Sequence, residues 1–442
     1  MDYRGTLDYL ESVQSRGIKL GLRNMEALLS GLGSPQAALR SVAVAGTNGK
    51  GSVCAFLSSL LRASGTRTGL YTSPHLVRYE ERIAVDGRPV ASGRFAAGVT
   101  EVKETIDALL AAGALDSHPT HFEVLTAAAL VHFRAEKVET AVLEVGMGGR
   151  LDAVAAAGSE AAVVTNVRLE HTQHLGTTVE AIAREKAGII GPRCRTAITS
   201  ERHPEALAIL RQTAALRGVR LVEAPLAVRA RAAGGPGPPL RLRLSTARAD
   251  YGEVELPLAG PHQVDNAAAA VLAAEALLAP EEGGSGLSPD AAARGLSSAR
   301  WPGRFQAIRQ DPLFVLDGAH NPAGAEALAS ALQAASAAGS SRAPLCLVAG
   351  ILQEKDLQGI AAALFPLAAK VVATRGRSER FRDPEEIAVA ARRLGVEASV
   401  ERDLAGALSS AEAWRAAGGA VCLCGSLYLV GDAMEALGID PF

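Results

Sequence analysis

The 442-residue chain is 48% hydrophobic, 21% charged and only 4% aromatic, a profile that fits a globular protein with two domains and at most three. Lys plus Arg number 45 against 47 Asp plus Glu, a net charge of -2, so no overall positive field exists to hold a polyanion and a dedicated nucleic-acid binder is disfavoured. The opening MDYRGTLDYLES lacks an apolar signal core and no stretch gives the roughly 18 uninterrupted apolar residues of a membrane span. Secretion by signal peptide and membrane spanning are both disfavoured. Five cysteines (Cys54, Cys194, Cys346, Cys422, Cys424), of which only the last two are close, argue against a disulfide scaffold or a Cys-type zinc site and for a reducing cytoplasm.

In chain order, SVAVAG (41–46) reads as a short buried strand that ends in a glycine-rich turn, followed by the helical spacing of VCAFLSSLLRASG. TAVLEVG (140–146), AAVVTNV (161–167) and RTAITS (195–200) are further strands, separated by helical patterns such as FEVLTAAALVHFRAE and TTVEAIAREKAG. Apolar runs without alternation, spaced by helices, predict a mostly parallel sheet covered on both faces. From Leu221 to Leu258 the texture shifts to short Arg-punctuated segments around GGPGPP (234–239), which predicts a small β-rich insertion with antiparallel strands. A helix from about Gln263 to Leu278 runs into the loop APEEGGSGLSP (279–289), and the domain junction is expected near Ser297. Beyond Trp301, LFVLDG, APLCLVAG, KVVATRG, EASVER and AVCLCGS predict the strands of a second, smaller α/β domain, giving domains 1–297 and 298–442.

The strongest chemical signal is AGTNGKGS (45–52). Gly46, Gly49 and Gly51 permit close backbone approach, and Lys50 puts a charge beside a helix N-terminus, as a phosphate cradle requires. The loop departs from the strict G-x-x-x-x-G-K-[ST] form, because Val44 takes the first glycine position and Ser52 is displaced by one; alone it could be a tight βα connection. YTSPHL (71–76), LEVGMGGRLDA (143–153) and TNVRLEHTQHLG (165–176) each lie at or beyond the carboxyl end of a strand, the edge where open α/β sheets bind ligands. Ser73, Glu144 and His171 supply mixed oxygen and nitrogen donors that suit a hard divalent cation shared with phosphate oxygens.

Together with EKAGI (185–189), GPHQVDNAAAA (260–270), WPGRF (301–305) and DGAHNP (317–322), these motifs resemble the folylpolyglutamate synthase/dihydrofolate synthase family of the Mur ligase superfamily over nearly the whole chain. The resemblance implies a P-loop-type, mostly parallel α/β domain followed by a Rossmann-like glutamate ligase domain. It implies an ATP-dependent ligase that joins L-glutamate to a folate carboxylate, and leaves open whether dihydropteroate is also a substrate. It makes Gly49, Lys50, Gly51 and Ser52 the triphosphate cradle, and Ser73, Glu144 and His171 the ligands of magnesium, with two metal sites expected. Asn266, Arg304 and Asp317 become ATP contacts from both sides of an interdomain cleft, Lys186 a carbamylated lysine, and His320 a group on the amino-acid side. Gly21, Leu22, Arg23 and Asn24, with Thr120 and Asp152, become contacts to the pterin-bearing substrate. A cytoplasmic monomer without nucleic-acid or membrane partners is expected. Glu170 stands where the family usually has an aspartate, one methylene shorter, and Arg168 lies two residues upstream of it.

Overall fold

The run from Val42 to Gly46 offers no polar side chain to face water, and it lies at the centre of the larger sheet. The computed structural model describes residues 1–14, 17, 21–234, 239–279, 286–337 and 343–442. Strands β1 (Arg40–Ala45), β2 (Thr68–Tyr71), β3 (Ile83–Val85), β4 (Arg88–Pro89), β5 (Thr140–Glu144), β6 (Ala161–Val164), β7 (Thr196–Thr199) and β8 (Arg220–Glu223) are ordered β4-β3-β2-β5-β1-β6-β7-β8. All neighbours are parallel except the β2/β3 and β3/β4 pairs at one edge.

Alternate residues of the central strands enter different cores. Ala43, Ala45, Leu143 and Val164 meet the helices Tyr3–Gln14, Arg23–Gly31, Ser92–Ala111 and His121–Ala135, whereas Val42, Val44, Val142 and Val163 meet Lys50–Ala63, His262–Leu278 and Pro289–Ser297. Helix Lys50–Ala63 is apolar almost all round because neighbours enclose it. Its Phe56, Leu57, Leu60 and Leu61 are fully buried, each stabilising the fold by about 1.5–3 kcal/mol. The helix stops at Ser64, and Gly65 follows in the left-handed region at φ 85°.

The insertion is a three-stranded antiparallel sheet, β9 (Arg229–Ala232), β10 (Leu240–Ser245) and β11 (Asp250–Leu256), ordered β11-β10-β9. Leu240, Leu242 and Leu244 turn into the core while Arg241 and Arg243 face water and pair with Glu255 and Asp250 at 3.5 and 3.4 Å. One sequence expectation is corrected here. The segment from Leu221 does not begin the insertion; it belongs to β8, the parallel edge strand of the main sheet, whose half-exposed side chains lack the apolar run of an interior strand. The predicted loops fall on 235–238 and 280–285 in large part, outside the described residues.

The second sheet comprises β12 (Gln306–Gln310), β13 (Leu313–Leu316), β14 (Leu345–Ala349), β15 (Lys370–Ala373), β16 (Glu397–Val400) and β17 (Ala420–Cys424), ordered β12-β13-β17-β14-β15-β16. Only β12 is antiparallel. Its polar QAIRQ sequence suits a covered-on-one-side edge and carried no strand signal. Val315, Leu347, Val371 and Cys422 face one core, and Phe314, Leu316, Val348 and Leu423 the other. Among the described residues no helix is long and apolar enough to cross a membrane.

Candidate active site

Strand register brings the motifs together. Val44 pairs with Glu144, Ala45 with Val164 and Tyr71 with Leu143, so the loops after β1, β2, β5 and β6 leave the same sheet edge at one level. There they form one wall of a cleft of about 300 Å³, whose other wall comes from the second sheet.

Gly49 turns the chain into helix Lys50–Ala63 with a left-handed φ of 86°, and Gly51 lies so close to Trp301 that an added Cβ would sit 2.4 Å from the indole ring. The first-turn N–H groups lack intrahelical acceptors and carry the positive end of the helix dipole, an arrangement that favours phosphate. Lys50 Nζ donates to the Gly46 and Thr47 carbonyls at 2.9 and 3.1 Å. Asn266 braces the turn from behind: its Nδ2 donates to Gln263 Oε1 at 2.9 Å, and Gln263 Nε2 donates to Ser52 Oγ at 3.3 Å.

Glu144 is buried at the end of β5, where one oxygen accepts the Ser73 N–H at 3.0 Å. Burial pushes its carboxyl above the usual carboxylate range, against the pull of Lys50, the Ser73 N–H and Arg304. A carboxylate in that position gains from a cation beside it. Ser73 and His171 line the same cleft, His171 with a left-handed φ of 46° at the start of the short helix Thr172–Leu175. Among the described residues no three His, Cys, Asp or Glu side chains make a ready cage for a metal. One carboxylate, one hydroxyl and one imidazole beside a phosphate loop fit magnesium, which keeps several waters and shares phosphate oxygens.

Lys186 stands behind this wall with a side chain 1% exposed, its Nζ donating to Glu170 Oε1 at 2.6 Å. Burial lowers the ammonium to about 8 against the opposing pull of Glu170. Burial would raise Glu170, but the Lys186 and Lys50 charges outweigh it and bring its carboxyl down to about 2. Arg168 is drawn away to buried Glu201, 3.1 Å distant.

From the second domain, Asp317 accepts the Phe305 and Ala319 N–H groups at 2.7 and 2.8 Å, which ties WPGRF to DGAHNP and holds Arg304 in the cleft lining. Burial raises the Asp317 carboxyl, and Arg304 opposes the rise. His320 Nδ1 lies 2.8 Å from the Gly318 carbonyl, a contact that requires the proton on Nδ1 and leaves Nε2 an acceptor. Burial, helped by Lys355, lowers this imidazole to about 4, so it is neutral.

Other expected contacts fall outside the cleft lining. Gly21 and Leu22 lead into helix Arg23–Gly31, Arg23 is exposed and pairs with Asp116 at 3.1 Å, and Asn24 Nδ2 donates to the Ser117 carbonyl at 3.2 Å. Thr120 caps helix His121–Ala135 in a reciprocal box with Glu123. Asp152 is buried and accepts the N–H groups of Gly146, Met147 and Val154, each at 3.0 Å, fixing the GGRLD turn. Conversely, Asn48, Gln263, Arg380 and Tyr428 line the cleft without having been singled out, whereas Lys355, which lines it too, belongs to the Lys–Asp pair of GILQEKD (350–356) that the family resemblance leads one to expect in the second domain. Asn48 sat in plain view inside AGTNGKGS and Gln263 inside GPHQVDNAAAA; Arg380 and Tyr428 belong to no motif.

Residues 44–274 match the Mur ligase middle domain, and residues 303–427 the Mur ligase glutamate ligase domain. A Halobacterium salinarum protein named a probable bifunctional folylpolyglutamate synthase/dihydropteroate synthase is 38% identical over 98% of this chain, which spans 51% of that relative's length. Among solved structures, Mycobacterium tuberculosis folylpolyglutamate synthase complexed with ADP and AMPPCP superimposes with a TM-score of 0.89 at 32% identity, covering 100% of both chains. The Yersinia pestis bifunctional folylpolyglutamate synthase/dihydrofolate synthase complexed with AMPPNP and Mn ion gives 0.84 at 30% identity, covering 99% of this chain and 98% of its own.

Proposed function

Because the chain belongs to the folylpolyglutamate synthase/dihydrofolate synthase family of Mur ligases, we propose that it joins L-glutamate to the carboxylate of a folate, with ATP as the activating substrate and dihydropteroate as a second acceptor. The observation that carries the reading is one cleft lined on one side by Lys50, Ser73, Glu144 and His171 and on the other by Arg304, Asp317 and His320. A free carboxylate is a poor acyl donor, since its oxygen leaves badly. Attack of that carboxylate on the γ-phosphorus of ATP releases ADP and forms an acyl phosphate; attack by the glutamate amine then expels phosphate and forms the amide.

Each residue has a role that its geometry supports. Lys50 turns from its loop carbonyls to the transferring phosphoryl group, and Arg304 adds a guanidinium from the opposite wall, so charge developing in the transition state meets donors already in place. His320, protonated at Nδ1 and neutral, offers Nε2 as a hydrogen-bond acceptor that can orient the glutamate amine for attack. Lys355 and Arg380, on the same wall, suit the glutamate carboxylates. Ser73, Glu144 and His171 would hold magnesium, which when bound offsets phosphate charge. Closure of the two walls over the substrates would keep water from the acyl phosphate.

Lys186 is proposed to carry a carbamate, formed when its neutral amine takes up carbon dioxide and releases a proton. Burial that brings the ammonium to about 8 favours the neutral amine. The Gly21–Asn24 segment, Thr120 and Asp152 are proposed to shape the pterin side. We read the enzyme as a monomer, the cleft being assembled from one chain, and as cytoplasmic, its five cysteines being free and buried. The test is ADP and product formation by purified protein with ATP, magnesium and glutamate, with dihydropteroate and, separately, tetrahydrofolate. ADP release indifferent to glutamate would instead indicate a nucleotide-driven switch.

A further inference from the structure

One contact across the cleft differs in kind from the rest. Asn48 Nδ2 donates to Asn321 Oδ1 at 3.2 Å, and Asn321 Nδ2 donates back to Asn48 Oδ1 at 2.9 Å, joining side chains 273 residues apart. Both amides are fixed at their bases. The Asn48 N–H donates to Asn166 Oδ1 at 3.0 Å, and the Asn48 carbonyl accepts the Thr165 hydroxyl at 2.6 Å. Asn321 Oδ1 also accepts the Gly324 N–H at 2.7 Å and so caps the first turn of helix Pro322–Ala337, with the residue only 9% exposed.

From this geometry we infer that Asn48 and Asn321 form a latch that holds the phosphate loop of the first domain against the second domain. The side chains are short and their backbones are held, so neither can follow its partner if the walls part; a shift of a few ångströms breaks both bonds together. Arg304 and Lys355, with longer stems, could stay in reach through the same movement. The latch also sets a spacing. Asn48 lies two residues before Lys50 and Asn321 directly after His320, so the amide pair fixes the distance between the cation for the phosphoryl group and the imidazole for the incoming amine. That consequence rests on the proposed ligase reading; the latch itself does not.

Two substitutions separate the latch from the helix cap. Asn321→Asp keeps an acceptor for the Gly324 N–H but sets a carboxylate oxygen against Asn48 Oδ1, and Asn48→Ala removes the partner while sparing the cap. Small-angle X-ray scattering of each single variant is expected to give a larger radius of gyration than wild type, with the melting temperature of Asn321→Asp nearly unchanged. Turnover to product should fall about tenfold while KM for ATP moves much less, and more ADP should form per product because an opened cleft admits water. The double variant should be no worse than Asn48→Ala, since the new carboxylate then has nothing to repel. An unchanged radius, or losses that multiply in the double variant, would overturn the latch. Should no variant, wild type included, show glutamate-dependent turnover, the ligase reading fails and the scattering result alone decides the latch.

Discussion

Replacing Lys50 by alanine separates what this side chain does for the fold from what it does for the reaction. Its ammonium donates to the carbonyls of two buried residues, Gly46 and Thr47, of which Thr47 lines the cleft, and both acceptors lose that donor when it is gone. At about 0.5–1.5 kcal/mol net for each of the two hydrogen bonds, the loss of stability is about 1–3 kcal/mol, a fall in Tm of a few degrees for a chain of this size. The reaction should suffer far more. Removing one preorganised donor from a transition state costs about 3–4 kcal/mol, or roughly 10²–10³ in kcat. Glutamate-dependent ADP release at saturating ATP and magnesium, measured beside a thermal melt, gives both numbers on one preparation. Lys50→Arg should fall between, because its planar guanidinium keeps the charge but not the compact fit over the loop. Near-wild-type turnover by Lys50→Ala would refute the phosphate-cradle assignment. Loss of the folded state would refute the claim that the loop leaves the core intact.

Glu144→Gln and His171→Ala should each raise the magnesium concentration needed for half-maximal turnover, Glu144→Gln by more because it removes the anionic ligand; superimposable titrations for both variants and wild type would remove them from the metal site. Lys186→Ala should lose ligase activity and regain part of it with an added short carboxylate, and labelled bicarbonate should give a carbamate carbon-13 resonance that this variant lacks; a bare amine in active enzyme would exclude the modification. His121 offers a pH test, because burial, reinforced by Arg82, lowers it to about 4 in the fold against 6.5 for the free side chain. The unfolded chain then binds a proton below about pH 6.5 that the native state refuses until about pH 4, so stability is complete above that window and falls as pH drops through it, by at most about 1.4 kcal/mol per pH unit. Denaturant unfolding across this range should show a shallower dependence for His121→Gln, and equal slopes would show that the native imidazole takes up its proton normally.

The cleft wall built by the larger sheet was legible in the sequence for a physical reason. A parallel sheet delivers the ends of β1, β2, β5 and β6 to one edge, so chemistry must follow each strand at once, as GTNGKGS, TSPHL, E-x-G and LEH do. The interior strands announced themselves by continuous burial on both faces. Edge strands β8 and β12 did not, since strands with exposed side chains such as those of Arg220 and Gln310 carry no such run. The wall from the second sheet was harder to read because its lining is dispersed: Lys355, Arg380 and Tyr428 follow different strands and meet only through the fold. Thr120 and Asp152 illustrate the opposite difficulty. The residue types that bind ligands are also those that cap helices, and in both cases the cap consumes the side chain's hydrogen-bonding capacity on one side.

The extra methylene of Glu170 connects the metal wall to the lysine behind it. A glutamate there lines the cleft while its carboxylate also touches the buried Lys186 ammonium at 2.6 Å; a shorter aspartate on the same backbone would reach less far. With the lysine unmodified the two charges satisfy each other, and little negative charge is left over for a second cation. The proposed carbamylation would reverse that balance. The group facing Glu170 becomes an anion, and two anions at hydrogen-bonding distance in a buried setting repel unless a cation or a proton lies between them. The ion pair and the proposed carbamate would therefore be alternative states of one site, and the longer side chain would give Glu170 room to turn from one to the other. Glu170→Asp should accordingly weaken the Lys186 ion pair and shift the lysine toward the carbamate at a given bicarbonate concentration. Carbon-13 intensities equal to wild type would show that the reach of residue 170 does not control the modification.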